Sequence, residues 1–84
     1  MSTNVINSDQ ALAMLAEVLN ESVDDVRPEV SLEQLQGWDS MAVLLLMAEF
    51  DERFDILLDE EKIVTLTTVN DVLDILRENN NLSD

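Results

Sequence analysis

Apolar residues recur at helical spacing in two stretches near the ends of the chain. The first covers 9–19, with Ser8 as the predicted N-cap, and the second follows Thr68, an N-cap residue with Asp71 three positions on. Residues of each stretch fall on one side of a helix and predict a helix packed on a core. The two apolar stripes are Ala11, Leu12, Leu15, Val18 and Leu19, and Val69, Val72, Leu73, Ile75 and Leu76.

A third predicted helix, over 40–54, is apolar on two sides. One side should enter the core, and a few short helices cannot easily surround the other, so we interpret the second side as a docking surface for a partner. Glu49 and Glu52 add negative charge at its far end. The core side consists of Val43, Leu46, Met47, Phe50 and Phe54, and the docking side of Met41, Leu44, Leu45 and Ala48.

Between these helices lie a long connection over 20–38, which contains Pro28, and a short helical turn predicted over 59–63. The fold class is therefore all-α, a small four-helix bundle of three main helices and one short helix with a long first loop. The chain is predicted to be one domain, 1–84, with a core over 8–78 and tails at 1–7 and 79–84, the latter a polar tail with Asn79, Asn80, Asn81 and Asp84. Apolar residues expected to hold the long loop on the core are Val23, Val26, Val30, Leu32 and Leu35, of which Leu32 and Leu35 should form a single helical turn.

Composition limits the chemistry of the chain. It has no Cys and no His, which excludes disulfides, Cys nucleophiles, His general bases and the usual zinc sites and argues against independent catalysis. A net charge of −15 disfavours nucleic acid and anionic membranes and favours partners with basic surfaces. The lack of a signal-like start or a long apolar segment makes a soluble cytoplasmic protein the default expectation. A monomer is expected. An acidic calcium-binding module is a weaker alternative, because Asp51, Asp55 and Asp59 lack the spacing and the glycine of an EF-hand loop.

The only glycine and the only tryptophan are adjacent, in Gly37-Trp38-Asp39-Ser40-Met41. Asp39 or Ser40 should begin the helix over 40–54 as its N-cap, which leaves the Ser40 hydroxyl at a helix N-terminus that tolerates an attached anion. Considered alone, Ser40 is better explained as an ordinary helix N-cap. Trp38 is interpreted as a ring that covers the core edge, with contact to an attached group or a partner as the alternative.

These five residues resemble the Gly-x-Asp-Ser-Leu/Met signature of acyl and peptidyl carrier proteins, and further similarity extends over about 8–78. The resemblance implies a non-catalytic, stand-alone carrier. On this resemblance, a phosphopantetheinyl transferase is expected to attach 4'-phosphopantetheine from coenzyme A to Ser40, framed by Asp39 and Met41, and the arm would hold acyl or aminoacyl groups as thioesters. The other expected partners are loading enzymes and downstream synthases or transferases with basic or apolar patches. The flanking similarity lies in Val30 to Leu35, Glu49 to Ile56 and Leu66 to Val72.

Three questions stay open at this point. Trp38 and the apolar docking side favour a specialised pathway, such as polyketide, nonribosomal peptide or aminoacyl transfer, over primary fatty acid synthesis. A non-carrier acidic interaction module is the remaining alternative. A cleft for the cargo between the helix over 40–54 and the short helical turn over 59–63 is the other open point, because core packing explains its candidate lining equally well. Those residues are Val43, Leu46, Met47, Phe50, Ile63 and Leu66.

Overall fold

The computed structural model describes residues 5–83, and within them the chain forms four helices. These are α1 (Ser8–Leu19), α2 (Ser40–Phe54), α3 (Glu60–Val64) and α4 (Val69–Glu78). Two short 3₁₀ turns, Val23–Asp25 and Leu32–Gln34, lie in the connection between α1 and α2. The described residues contain no β-strand, only two isolated bridge pairs. The predicted all-α bundle of three main helices and one short helix, with a long first loop, is confirmed.

Each of the four helices begins at a side-chain cap. Asp39 caps α2 and Asp59 caps α3, while Thr68 and Asp71 form a reciprocal capping box at α4. The predicted cap of α1 is wrong by one residue, because Asn7 and not Ser8 is the N-cap. The Asn7 side chain accepts from the Gln10 N–H at 2.8 Å, and the Gln10 side chain accepts from the Asn7 N–H at 3.0 Å. Ser8 as the cap would have placed Ala11 at the position of Gln10, and alanine cannot return the bond.

The core lies among α1, α2, α4 and the long connection. Phe50 and Leu46 are completely buried, and the Phe50 and Phe54 rings meet edge to face at 5.6 Å. All five predicted core residues of α4 are buried. The predicted apolar stripes of α1 and α2 differ from the observed buried residues at the edges of each stripe. Leu12, Val18, Val43 and Met47 are only partly buried, whereas Met14, Ala16 and Ala42 are buried.

The long connection is attached to the start of α4 by backbone hydrogen bonds. The N–H of Val69 donates to the Val30 carbonyl at 3.0 Å, and that of Asn70 donates to the Pro28 carbonyl at 2.9 Å. Because the first N–H groups of a helix lack helical acceptors, the loop carbonyls satisfy α4 while α4 fixes the loop. Apolar contacts add to this attachment through the buried Val26, Leu32 and Leu35 and the partly buried Val30.

Two sequence-based expectations about chain segments are corrected. Val23 does not hold the loop on the core, because it lies at the outer side of the Ser22-capped turn with half of its surface exposed. Asn81 is not part of a solvated tail, since only 2% of its surface is exposed. Its carbonyl accepts from the Ile6 N–H at 3.0 Å, and the Ile6 carbonyl accepts from the Ser83 N–H at 2.9 Å, so the two ends of the described chain are paired. Residues 1–4 and Asp84, which the predicted tails include, lie outside the described residues.

Candidate functional site

Ser40 is the first residue of α2, and it is exposed. The preceding Asp39 caps the helix, with its Oδ1 accepting from the Ala42 N–H at 2.9 Å and its carbonyl accepting from the Val43 N–H at 3.0 Å. The N–H groups of Ser40 and Met41 have no acceptor among residues 5–83. The site is thus a solvent-facing hydroxyl beside two open backbone donors at the positive end of a 15-residue helix. This arrangement suits an anion attached to the hydroxyl.

The turn before Ser40 is held against the end of α1. The N–H of Gly37 donates to Glu21 Oε2 at 2.7 Å, the N–H of Trp38 donates to the Leu35 carbonyl at 3.0 Å, and the N–H of Asp39 donates to the Gly37 carbonyl at 3.0 Å. Trp38 is partly buried and packs on the core, which confirms its interpretation as a ring at the core edge. The position of Ser40 is therefore set by contacts on both sides of it.

The predicted docking side of α2 is exposed and forms a ridge. Met41, Leu44 and Leu45 expose 63%, 62% and 47% of their surfaces, and Ala48 is also exposed. We call these four residues the α2 ridge. A groove lies on each side of it, so that Leu44 borders one groove and the other three residues border the opposite side. A partner that contacts the ridge therefore meets two different neighbouring surfaces.

The first groove, between α2 and α3, begins at Ser40 and has a volume of about 400 Å³. Apart from Ser40 and Glu60, its lining is apolar: Val43, Leu44, Met47, Ile63 and Val64. The predicted lining is correct for Val43, Met47 and Ile63. It is wrong for Leu46 and Phe50, which are completely buried in the core, and for Leu66, which does not border this groove. The cleft is thus a surface groove next to the hydroxyl and not an opening into the core.

The second groove follows α1. The part of this groove farther from Ser40 has an apolar floor of Val18, Leu45 and Ala48. The rim is formed by the carboxylates of Glu17, Glu49 and Glu52. Arg53 Nε donates to Glu49 Oε2 at 3.1 Å, which partly neutralises that carboxylate, while Glu52 is exposed. Met41 and Leu45 continue the floor toward the Ser40 end. The predicted docking residues Met41, Leu45, Ala48, Glu49 and Glu52 thus lie along one continuous strip with α1 as its other wall.

Over 5–83, there is no group of three or more acidic residues arranged to hold a metal ion. No helix in the same part of the chain has the length and apolarity needed to cross a membrane.

Comparison with known proteins places this arrangement in a class. Residues 9–76 match the family described as "Phosphopantetheine attachment site". The chain is also similar to proteins named "Acyl carrier protein". It is 38% identical over 56 residues to the one from Desulforapulum autotrophicum, covering 67% of this chain and 73% of that protein. It is 32% identical over 59 residues to the one from Exiguobacterium sp., covering 70% and 75%. A third, from Kocuria rhizophila, is 28% identical over 74 residues, covering 83% and 91%.

A small all-α bundle with an exposed serine at a helix start is thus matched to a family defined by an attached cofactor. The chain belongs to the acyl carrier protein family, whose cofactor is 4'-phosphopantetheine. The residues present fit that group, because an exposed hydroxyl, two open N–H donors and an adjoining apolar groove meet at the start of α2. A phosphodiester placed there would lie next to the N–H groups, with the groove beside it.

The structure brings together Asp39, Ser40 and Met41 at the start of α2, with the ridge continuing from them. Sequence reasoning missed Glu60 and Val64 in the first groove and Glu17 and Val18 in the second. The apolar spacing within α2 predicted the ridge. It gave no information about which face of a neighbouring helix lies beside that ridge, because that depends on how the helices pack.

Proposed function

We propose that this chain is a non-catalytic carrier whose 4'-phosphopantetheine is attached to Ser40. The observation that carries the proposal is the exposed Ser40 hydroxyl at the N-terminus of α2, beside N–H groups without protein acceptors. Family membership and the position of the serine in the Gly37 to Met41 signature support it. When attached, the group supplies a thiol on a flexible arm that carries an acyl or aminoacyl group as a thioester.

The chain does not activate its own hydroxyl. It has no His, and the Asp39 carboxylate is engaged as the helix cap. A phosphopantetheinyl transferase therefore supplies the base that removes the Ser40 proton. The Ser40 oxygen then forms a bond to the phosphorus on the pantetheine side of coenzyme A, and adenosine 3',5'-bisphosphate leaves with the electron pair of the broken P–O bond. In this reaction Asp39 fixes the helix start, and the open N–H groups favour the negative charge near the new phosphodiester.

Partner enzymes dock, in this proposal, on the α2 ridge together with Glu49 and Glu52. Large exposed apolar residues grouped in this way are typical of interaction sites. The net charge of −15 adds long-range attraction for basic partner surfaces, which raises the rate of encounter. Met41 has two roles, because it follows the attachment residue and also begins the ridge. The transferase and the enzymes that load and use the cargo would share this surface.

The proposed setting is a specialised biosynthetic pathway, with primary fatty acid synthesis as the alternative. The tryptophan before Asp39 and the apolar character of the early α2 surface support the specialised reading. The rate of malonyl transfer by the acyltransferase of a bacterial fatty acid synthase distinguishes the two pathways. The acceptor is this protein with phosphopantetheine attached and its thiol free. Transfer as fast as to that synthase's own carrier would favour the primary pathway, and transfer at least tenfold slower would favour the specialised one.

Attachment at Ser40 is tested by intact mass after incubation with coenzyme A and a broad-specificity phosphopantetheinyl transferase. We expect the wild-type protein to gain one phosphopantetheine and Ser40→Ala to gain none. Ser22→Ala is the matched control, because Ser22 is also exposed and also caps a turn, with its Oγ accepting from the Asp24 N–H at 3.3 Å. A folded wild-type protein that gains no mass, with a control carrier modified in parallel, would leave a non-carrier interaction module as the better account.

Docking is tested by measuring how fast the transferase attaches phosphopantetheine to variants of the α2 ridge. Leu45→Ala should raise the KM for the carrier by roughly fivefold or more, because Leu45 lies in the middle of the ridge and truncation of a central binding hot spot costs over about 1 kcal/mol. Leu57→Ala is the control, since Leu57 is also a large exposed apolar residue, with 85% of its surface accessible, but lies outside the ridge. Equal KM values for both variants would exclude the ridge as the transferase contact.

A further inference from the structure

Glu21 and Gly37 form a hydrogen-bonded contact between the end of α1 and the turn that precedes Ser40. The two residues are 16 positions apart, and the bond from the Gly37 N–H to Glu21 Oε2 is short, at 2.7 Å, and partly buried. The backbones are also in direct contact there. A Cβ atom on Gly37 would lie 1.7 Å from the Leu19 carbonyl oxygen. Only a residue without a side chain therefore allows this approach, which brings the Gly37 N–H within reach of the carboxylate.

The backbone of Glu21 is itself fixed. Asn20 ends α1 in the left-handed conformation, with φ of 56°, and the following N–H of Glu21 donates to the Ala16 carbonyl at 2.9 Å. This is a common way to end a helix, and it satisfies a carbonyl of the last turn. The Glu21 side chain thus starts from a rigid point. Ordering it on Gly37 costs less conformational entropy than ordering a side chain from a mobile loop.

From Glu21 the hydrogen bonds continue to the first turn of α2. The Gly37 carbonyl accepts from the Asp39 N–H at 3.0 Å, and Asp39 Oδ1 accepts from the Ala42 N–H at 2.9 Å. Two successive bonds therefore join Glu21 to Asp39, the residue that caps α2, and a third joins that cap to the first turn of the helix. Ser40 lies directly after that cap and is itself exposed. Because the Ser40 side chain is exposed, this chain of bonds acts on Ser40 through the backbone that precedes it.

We propose that Glu21 is a positioning residue for Ser40, acting through Gly37 and Asp39 to hold the attachment hydroxyl in one orientation for the transferase. This inference rests on the proposed function of Ser40. A bond from an N–H to a carboxylate is stronger than one between neutral groups, and removal of Glu21 leaves the partly buried Gly37 N–H without its partner. The turn then samples other conformations, and the productive orientation of Ser40 is populated less.

The first test is hydrogen exchange of the Gly37 amide, followed by NMR in the unmodified protein. Glu21→Ala should speed this exchange by roughly tenfold or more, because a hydrogen bond to a charged acceptor is lost. Glu21→Gln keeps a side-chain oxygen acceptor and should retain most of the protection. Unchanged Gly37 exchange in Glu21→Ala would overturn the proposal. This measurement needs no transferase, so it reports on the contact even if Ser40 is never modified.

The second test is the steady-state rate of phosphopantetheine transfer to the same variants. We expect Glu21→Ala to lower kcat by about tenfold with a smaller change in KM, because the orientation of the hydroxyl is disturbed and the α2 ridge is not. Glu21→Gln should recover most of the rate. Glu29→Ala is the charge control, since it removes an exposed carboxylate from the same connection, and it should match the wild type.

Asp71→Ala controls for stability, because it weakens the start of α4 without touching the turn before Ser40. An equal kcat loss in Asp71→Ala would mean that lower stability explains the effect, and the positioning role would be wrong. Equal defects in Glu21→Gln and Glu21→Ala would overturn the assignment to a hydrogen-bond acceptor. A wild-type protein that is not modified at all would refute the proposed function, while the Gly37 exchange rates still decide whether Glu21 orders the turn.

Discussion

The close approach of the turn at Gly37 to the end of α1 predicts that Gly37→Ala is severely destabilising. The added Cβ would lie 1.7 Å from the Leu19 carbonyl oxygen and 2.8 Å from the Leu19 carbonyl carbon, and both are backbone atoms. Ordinary contact begins near 3.4 Å, so the turn or the end of α1 has to move by over 1 Å. Gly37 has no positive φ, so the reason is space and not the conformational freedom of glycine. Such a movement also breaks the bond from the Gly37 N–H to Glu21.

The expected loss of stability combines the steric overlap with Leu19 and the lost hydrogen bond from the Gly37 N–H to Glu21. Overpacking costs roughly 1–3 kcal/mol, and a hydrogen bond to a charged group is worth about 1.5–3 kcal/mol, so we expect a loss of about 3–5 kcal/mol. A chain of this length has a total free energy of unfolding of roughly 4–13 kcal/mol. The melting temperature should fall by roughly 12 °C or more, since each kcal/mol shifts a domain of this size by about 4–8 °C.

Urea unfolding followed by far-UV circular dichroism measures this loss directly. The midpoint for Gly37→Ala should fall sharply, with the m-value unchanged if the unfolded state is the same. Gln36→Ala is the control, because it changes the exposed neighbouring side chain, and it should stay within about 0.5 kcal/mol of the wild type. A Gly37→Ala protein as stable as that control would refute the close approach of the turn to α1.

Three further predictions concern stability. Leu46→Ala should cost about 2–5 kcal/mol in urea unfolding because Leu46 is completely buried, whereas Leu44→Ala, on the exposed ridge, should cost under about 0.5 kcal/mol; equal costs would contradict the assigned faces of α2. Added salt or divalent cations should raise the melting temperature by screening the net charge of −15, and a flat response over a salt series would count against this. Backbone N–H groups of Thr68 and Thr67 lower the pKa of Asp71 below 3.8, so Asp71→Ala should cost about 1 kcal/mol at pH 7. Because the folded-state pKa of Asp71 is depressed, this contribution is present above about pH 3.8 and is lost as the pH falls through the folded-state pKa. The difference in free energy of unfolding between the wild type and Asp71→Ala should therefore be smaller at pH 3 than at pH 7.

The helices could be predicted where local signals agreed. The range 40–54 is the observed α2 because a cap residue, an apolar run and the helical period coincide there. The start of α1 was misplaced although a local signal existed, since Asn7 and Gln10 have the spacing of a capping box. Where two residues that can both act as an N-cap are adjacent, as Asn7 and Ser8 are, the predicted start of a helix can be wrong by one residue.

The contacts between distant segments could not be predicted. Nothing in the spacing of Glu21 indicates that its carboxylate bonds to Gly37, and Asn81 is buried because its backbone pairs with Ile6 at the other end of the described chain. A polar residue near a chain end is ordinarily solvated, so its sequence context favoured a tail. Ser40 could be proposed as the attachment residue because it belongs to a short contiguous motif, whereas the surroundings of Ser40 depend on how α1 and α3 pack beside α2.

The central claim is that Ser40 is the residue that carries the cofactor. The most direct measurement is tandem mass spectrometry of the wild-type protein after reaction with coenzyme A and the transferase, with fragments that separate Ser40 from the other hydroxyl residues. We predict that all the added mass resides on the fragment ions that contain Ser40. Added mass on any fragment that lacks Ser40, or an unmodified protein that is folded and presented to an active transferase, would contradict the account.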